Sequence, residues 1–135
     1  MPNSFIFPVC VYLEDTDVGG LVYHANYLKF AERARTEALR SLGFSHSTLM
    51  KEQKIRFVIR SCHLNCLAPA HLDDILHIKT YFKEPKYAKL VVSQIILRED
   101  HLIASLEVTL ACINSEGKPV RIVEDLHRLL TNVET

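Results

Sequence analysis

Glu14, Asp15, Thr16 and Asp17 put three carboxylates and a hydroxyl into four consecutive residues, and Gly19-Gly20 follow closely. A carboxylate can attack a carbonyl carbon or take a proton from water. An adjacent glycine pair lets the backbone adopt positive φ or approach a ligand closely, which a Cβ would hinder. The segment then enters the one long helical pattern in the chain. A helix start offers free N–H groups and the positive end of a dipole, roughly +0.5 of a charge. Donors of that kind stabilise the oxyanion that forms when a carbonyl is attacked, and losing one typically costs ~10²–10³ in rate. Carboxylate, bare backbone and helix N-terminus together make a place to hold a carbonyl or an anion. A plainer use is also open: Asp17 can cap the turn, as aspartate often does, and Asp15 suits holding the loop through backbone hydrogen bonds.

The flanking elements are legible from periodicity. Ser4 to Leu13 is apolar and rich in β-branched and aromatic residues, which predicts a strand, and Pro8 places that strand at an edge or bulge. From about Ala25 to Leu42, at ~100° per residue, Tyr27, Phe30, Ala31, Ala34, Ala38 and Leu42 fall on one helix face. Lys29, Glu32, Arg33, Thr36 and Arg40 fall on the other. Three alanines in the stripe let this helix lie close to a sheet curling round it. Asn26 is a candidate N-cap and Gly43 a left-handed stop, and Arg33–Glu37 is an exposed i,i+4 pair worth about 0.3 kcal/mol. Phe44 to Glu52 reads as a short helix or turn. Beyond it the period changes to two, predicting strands at Ile55–Leu67, Ile75–Lys83, Lys89–Arg98 and Leu102–Ile113. Turns fall at Asp73-Asp74, Glu99-Asp100 and Asn114 to Gly117, and Val123 to Val133 has the spacing of a short terminal helix. Strand, long helix, then four strands in succession is α+β: one helix on one five-stranded antiparallel sheet with a single core, so residues 1–135 are read as one domain. A helix on one face leaves apolar residues on the other face without a partner, which predicts a homodimer.

Composition removes several classes of function. Hydrophobic residues make up 48% and charged residues 24% of the 135, the balance of a globular protein. Lys plus Arg and Asp plus Glu number 16 each, so no net basic field draws the chain to nucleic acid or to a membrane surface. The N-terminus lacks the basic and apolar regions of a signal peptide, and no apolar run approaches the ~20 residues of a spanning helix. The expected location is the cytoplasm, without membrane insertion. Cys62 and Cys66 fall on one face of a predicted strand, roughly 13 Å apart, and no Cys-x-x-Cys offers zinc spacing. With Cys10 and Cys112 they read as reduced, buried, structural thiols. His63, His71, His77 and His101 lack ligand spacing, so no metal is implied.

The run EDTDVGGLVYHANYLKFAERARTE, Glu14 to Glu37, resembles the active-site signature of the 4-hydroxybenzoyl-CoA thioesterase family of hotdog-fold enzymes. More narrowly it resembles the YbgC-type acyl-CoA thioesterases that accompany the Tol-Pal system. APAHLDDILHI, Ala68 to Ile78, resembles the same group, and the predicted element order fits from end to end. The resemblance implies the hotdog fold, a long helix wrapped by a five-stranded antiparallel sheet. It implies subunits that share a continuous sheet as a homodimer or dimer of dimers, with sites at the subunit boundary. It implies hydrolysis of acyl-coenzyme A to free acid and coenzyme A without metal or bound cofactor. Asp17 is then the catalytic carboxylate, as nucleophile or as base, and His24 assists through its backbone N–H and side chain. Gly20 and Tyr23 are then substrate contacts; Lys83, Lys86 and Lys89 have the charge to meet coenzyme A phosphates, although a charged loop flanking Pro85 is more often just a solvated loop. Leu13 stands where relatives often have tyrosine, with Tyr12 one place earlier. A one-residue shift in a strand reverses the facing of a side chain, so no tyrosine contribution is expected. Partners in the Tol-Pal system or in lipid synthesis follow from the same resemblance. Two other readings stay open. A non-catalytic acyl-CoA-binding or scaffold subunit would be marked by a lost carboxylate, and Asp17 is present. A hotdog dehydratase would use a His/Glu pair on the helix, which offers Glu32 and Glu37 but no histidine after His24.

Overall fold

The computed structural model describes residues 4–132, the side chain of Asn132 excepted. Met1 to Asn3 of the N-terminal reading and Val133 of the predicted terminal helix lie outside the described residues. Strand β1 (Phe5–Cys10) is followed by a tight helical turn at Leu13–Asp15 and by helix α1 (His24–Ser41). The short helix α2 (His46–Thr48) widens into a π-turn over Leu49–Gln53. Strands β2 (Ile55–Cys66), β3 (Ile75–Phe82), β4 (Lys89–Arg98) and β5 (His101–Asn114) come next, and helix α3 (Glu124–Asn132) ends the chain. All five strands join one sheet in the order β1-β3-β4-β5-β2, antiparallel at every pairing. This is the expected α+β architecture, with β2 carried past the meander to the far edge.

The inward row of the sheet is the alternating set that the period of two predicts. Ile78, Phe82, Leu90, Val92, Ile96, Leu106, Val108 and Leu110 are buried, and the α1 stripe of Tyr27, Phe30, Ala31, Ala34 and Ala38 packs into the same core. The alternation slips at the start of β5, where a register shift between Ile96 and Leu97 leaves Leu102 41% exposed and Ile103 fully buried. α3 buries Leu126 and Leu130, with Ile122 just before it. Two polar residues sit in the inward row. Gln94, fully buried, donates through Nε2 to the Ala31 carbonyl at 2.9 Å and to Thr80 Oγ1 at 3.0 Å. Its Oε1 accepts from Nη1 of Arg35 at 2.9 Å, an α1 residue that is only 7% exposed. Burial lowers the Arg35 guanidinium from its ordinary value, with Glu32 and Cys62 pulling the other way.

α1 lies over β1 and β3, so it does not cover the inward face of β2. Ile59 is 54% exposed there, and Cys62 and Cys66 are exposed. Four expectations change. Of the four free cysteines only Cys112 is a buried hydrophobe, and burial pushes its thiol up to about 11. The outer face of the sheet is mixed: Val91, Ser93, Ile95, Ser105 and Thr109 are half-buried, Arg56, Ser61, His63 and Asn65 of β2 are polar, and Ile6, Val58 and Ile75 are exposed apolar side chains. On β2 itself Val58 and Ile59 are exposed apolar side chains. On α1, Glu37 pairs with Arg40 at 2.8 Å rather than with Arg33, whose guanidinium lies 5.9 Å from the Phe30 ring centre. β1 is an edge strand, as Pro8 predicts, but it ends at Cys10. Tyr12 and Leu13, 62% and 74% exposed, are therefore in the turn beyond it, where side chains do not alternate between the faces of a sheet.

Candidate active site

Asp15 organises the acidic turn. It is buried, its Oδ2 accepts from the Tyr12 N–H at 2.8 Å, and its carbonyl accepts from the Tyr23 N–H at 3.1 Å and from the Asn26 side chain at 2.8 Å. These bonds tie the start of α1 to the turn. Asn26 is thus an anchor inside the helix and not its cap, which is Tyr23 without a side-chain bond.

Asp17 is exposed and held at one end. Oδ1 accepts from the Gly19 N–H at 2.9 Å and from the Leu21 N–H at 3.3 Å, and its own N–H donates to the Leu21 carbonyl at 2.8 Å. Oδ2 has no hydrogen-bond partner among the described residues. Capping therefore does not use up the carboxylate: one oxygen is held and the other is left free. Of the two glycines only Gly20 takes positive φ, at +81°, while a Cβ on Gly19 would meet Asp17 Oδ1 at an ordinary 3.6 Å. Gly20 donates its N–H to the Asp17 carbonyl at 3.1 Å and accepts from the Leu72 N–H at 3.2 Å.

An open cavity of about 520 Å³ brings Asp17, Tyr23 and His24 together. Gly20 shapes the turn but does not line it. His24 is the first residue of α1, so its N–H has no acceptor within the helix. The His24 and Tyr23 rings stand 4.6 Å apart. Opposite them, Leu67, Ala68 and Pro69 form an apolar wall from the connection between β2 and β3. Tyr27 and Cys66 also line the cavity, and periodicity had assigned both to the core alone. Tyr27 sits one turn after His24, and that spacing is the signal that could have found it. Burial raises its hydroxyl above the ordinary value, with the Ala70 backbone beside it pulling the other way.

Residues 67–74 are built against the acidic turn. Val22 N–H donates to the Ala70 carbonyl at 2.9 Å, and Leu21 bridges antiparallel to His71. Asp74 Oδ2 accepts from the His71 N–H and from Arg98 Nη1, each at 2.8 Å. Partial burial raises the Asp74 carboxyl, but these two donors outweigh it and hold it below the ordinary 3.8. A depressed folded value means that this stability is present above pH 3.8 and lost as pH falls through the folded value. Asp74→Asn should therefore cost about 1 kcal/mol near neutrality. The cost should shrink as the pH drops below 3.8, which urea unfolding of both proteins across that range would check.

A separate cavity of about 240 Å³ is lined by Arg60, Lys86, Tyr87 and Lys89, whereas Lys83 lies 3.6 Å from Glu107. Arg60 escaped the sequence reading because it belongs to β2, far from the lysine loop in the chain. Among the described residues, no three His, Cys, Asp or Glu side chains are gathered as a metal ion would need.

The family model described as Thioesterase-like superfamily matches residues 11–130. The chain is 42% identical over 127 residues to the acyl-CoA thioesterase YbgC of Haemophilus influenzae, covering 93% of each protein. It is 46% identical over 111 residues, 82% of each, to the acyl-CoA thioester hydrolase YbgC of Shigella flexneri. Among solved structures, a probable thioesterase from Bartonella henselae superposes with a TM-score of 0.86 at 38% identity, over 90% of this chain and 100% of that one. Long helix, five-stranded sheet and matched sequence are those of a hotdog protein, and the chain belongs to the thioesterase-like superfamily.

Proposed function

We propose that the chain hydrolyses acyl-coenzyme A thioesters to free acid and coenzyme A, with Asp17 supplying the carboxylate and His24 the donor to the oxyanion. The observation that carries this reading is the pairing, on one cavity, of a carboxylate with one free oxygen and a helix start with an unbonded N–H. A thioester carbonyl seated at the His24 N–H gains stabilisation as negative charge collects on its oxygen. In one course Asp17 Oδ2 takes the proton of a water that adds to the carbonyl carbon, and the coenzyme A thiolate leaves as the free acid forms. In the other Oδ2 itself adds and expels the thiolate, and water then cleaves the resulting mixed anhydride to release the acid and restore the carboxylate. The His24 side chain assists from the same helix start, Tyr23 packs beside it, and Gly20 gives the turn its shape. Leu67, Ala68 and Pro69 suit an apolar acyl group. The basic cavity with an exposed Tyr87 ring has the chemistry that a nucleotide with phosphates needs. Hydrolysis of a panel of acyl-coenzyme A esters, from short aliphatic to aromatic to long-chain, is the test. No turnover of any of them would end the reading.

The whole of residues 1–135 is one thioesterase domain in this proposal, working as a homodimer or a dimer of dimers. No helix among the described residues is long and apolar enough to cross a membrane. The cytoplasm suits its four free thiols, and partners in the Tol-Pal system or in lipid synthesis rest on the resemblance of the Glu14–Glu37 run. The dimer has separate support. β2 is a 12-residue edge strand with exposed Ile59 on its inward side, and such an edge is a template for a second strand. Sedimentation at micromolar concentration should give at least twice the 15.5 kDa of one chain. Ile59→Asp should shift it toward the monomer, and a wild-type monomer would remove this part of the proposal.

A further inference from the structure

We infer that Arg98 and Asp74, neither of which lines the catalytic cavity, are positioning residues that clamp the 67–74 connection against the acidic turn and so set the geometry of Asp17 and His24. Arg98 closes β4, and its Nη1 reaches two acceptors in that connection: Asp74 Oδ2 at 2.8 Å and the Pro69 carbonyl at 3.1 Å. The same Asp74 oxygen receives the His71 N–H at 2.8 Å, with His71 Nδ1 3.7 Å away. One charged pair thus fastens the beginning, middle and end of the connection to the sheet.

What it fastens is half of the site. Pro69 belongs to the apolar wall of the cavity. Ala70 accepts from the Val22 N–H, Leu72 donates to the Gly20 carbonyl, and His71 bridges to Leu21. Leu21 in turn exchanges hydrogen bonds with Asp17, giving its N–H to Oδ1 at 3.3 Å and accepting from the Asp17 N–H at 2.8 Å. Val22 and Tyr23 lead directly into His24. From Arg98 to the carboxylate every link is therefore a single hydrogen bond or a bridge between adjacent backbones. Asp17 is exposed, and among the described residues no side chain from another element bonds to it, so the aim of its carboxylate depends on this backbone frame. Misplacement of a catalytic group by about 1 Å can cost up to about a hundredfold in rate.

This inference rests on the thioesterase reading, and the two fail differently. Wild-type turnover of an acyl-coenzyme A ester tests the reading, and only variant-to-wild-type ratios test the clamp. Full-length Arg98→Gln, Asp74→Asn and the double variant are to be assayed well below their melting temperatures. Each single change should lower kcat about tenfold while KM stays within about threefold, because the acyl and nucleotide surfaces remain. The double variant should be no slower than the slower single, since both changes open one clamp. Arg98→Lys, which keeps the charge and a donor, should recover most of the rate. An Arg98→Gln kcat within about twofold of wild type would overturn the clamp, as would multiplicative losses in the double variant. So would a loss that tracks the unfolded fraction and vanishes on cooling.

Discussion

Asp17→Asn should fold like the wild type and hydrolyse acyl-coenzyme A slower by ~10² or more. The amide keeps the size of the carboxylate and one oxygen, so it can still accept from the Gly19 and Leu21 N–H groups that now hold Oδ1. Its second position becomes an NH₂, which neither attacks a carbonyl nor takes a proton from water. If Asp17 only shaped the turn, turnover would survive within a few-fold. The melting temperature should change little or rise, because a charge is removed beside Glu14 and Asp15 while the bonds of Asp15 are untouched. Turnover, binding of acyl-coenzyme A and melting belong on the same preparation. Near-normal turnover by a folded Asp17→Asn protein would end the assignment.

Gln94→Leu should destabilise the fold markedly although it lies away from the site. Leucine nearly matches the volume of glutamine, so no large void is created, and the cost is one of polar groups left alone. Arg35, 7% exposed, loses the acceptor 2.9 Å from its Nη1, and the Thr80 hydroxyl and the Ala31 carbonyl each lose a donor. Leaving a buried donor or acceptor without its partner typically costs about 1–3 kcal/mol, and more where the group is charged. About 3 kcal/mol is expected here, because three groups lose a partner while Arg35 borders a small cavity that can admit water. Urea unfolding at one fixed protein concentration would measure it, the concentration mattering if the protein is a dimer. Changing Arg35 to leucine as well should return most of the loss, since no charge is then stranded. A Gln94→Leu protein within about 1 kcal/mol of wild type would show that the network is not holding α1 to the sheet.

These two residues illustrate what could be read in advance and what could not. The setting of Asp17 was legible because it is local: a carboxylate, a glycine of positive φ and a helix start lie within eight residues, 17–24, and a turn brings them together. The α1 stripe and the four long strands were legible for the same reason, since periodicity is a property of neighbours. Alternation with Leu90, Val92 and Ile96 puts Gln94 in the inward row, but nothing near it in the chain says that it meets Arg35, 59 residues away. Cys66 was read as core because strands alternate, but α1 lies over β1 and β3 and leaves that end of β2 open. The end of β1 was misjudged because apolar side chains continue past Cys10, although the backbone there turns to serve Asp15.

The two margins of the sheet have a consequence for polymerisation. β1 is six residues long and carries Pro8, which has no N–H to offer a neighbour, whereas β2 runs for 12 residues without proline. Copies joined strand to strand through β2 would turn their β1 margins outward, and a margin interrupted by proline is a poor seed for another strand. Lateral growth would then end at a closed pair, so the same long strand that invites association would protect the protein from forming fibres.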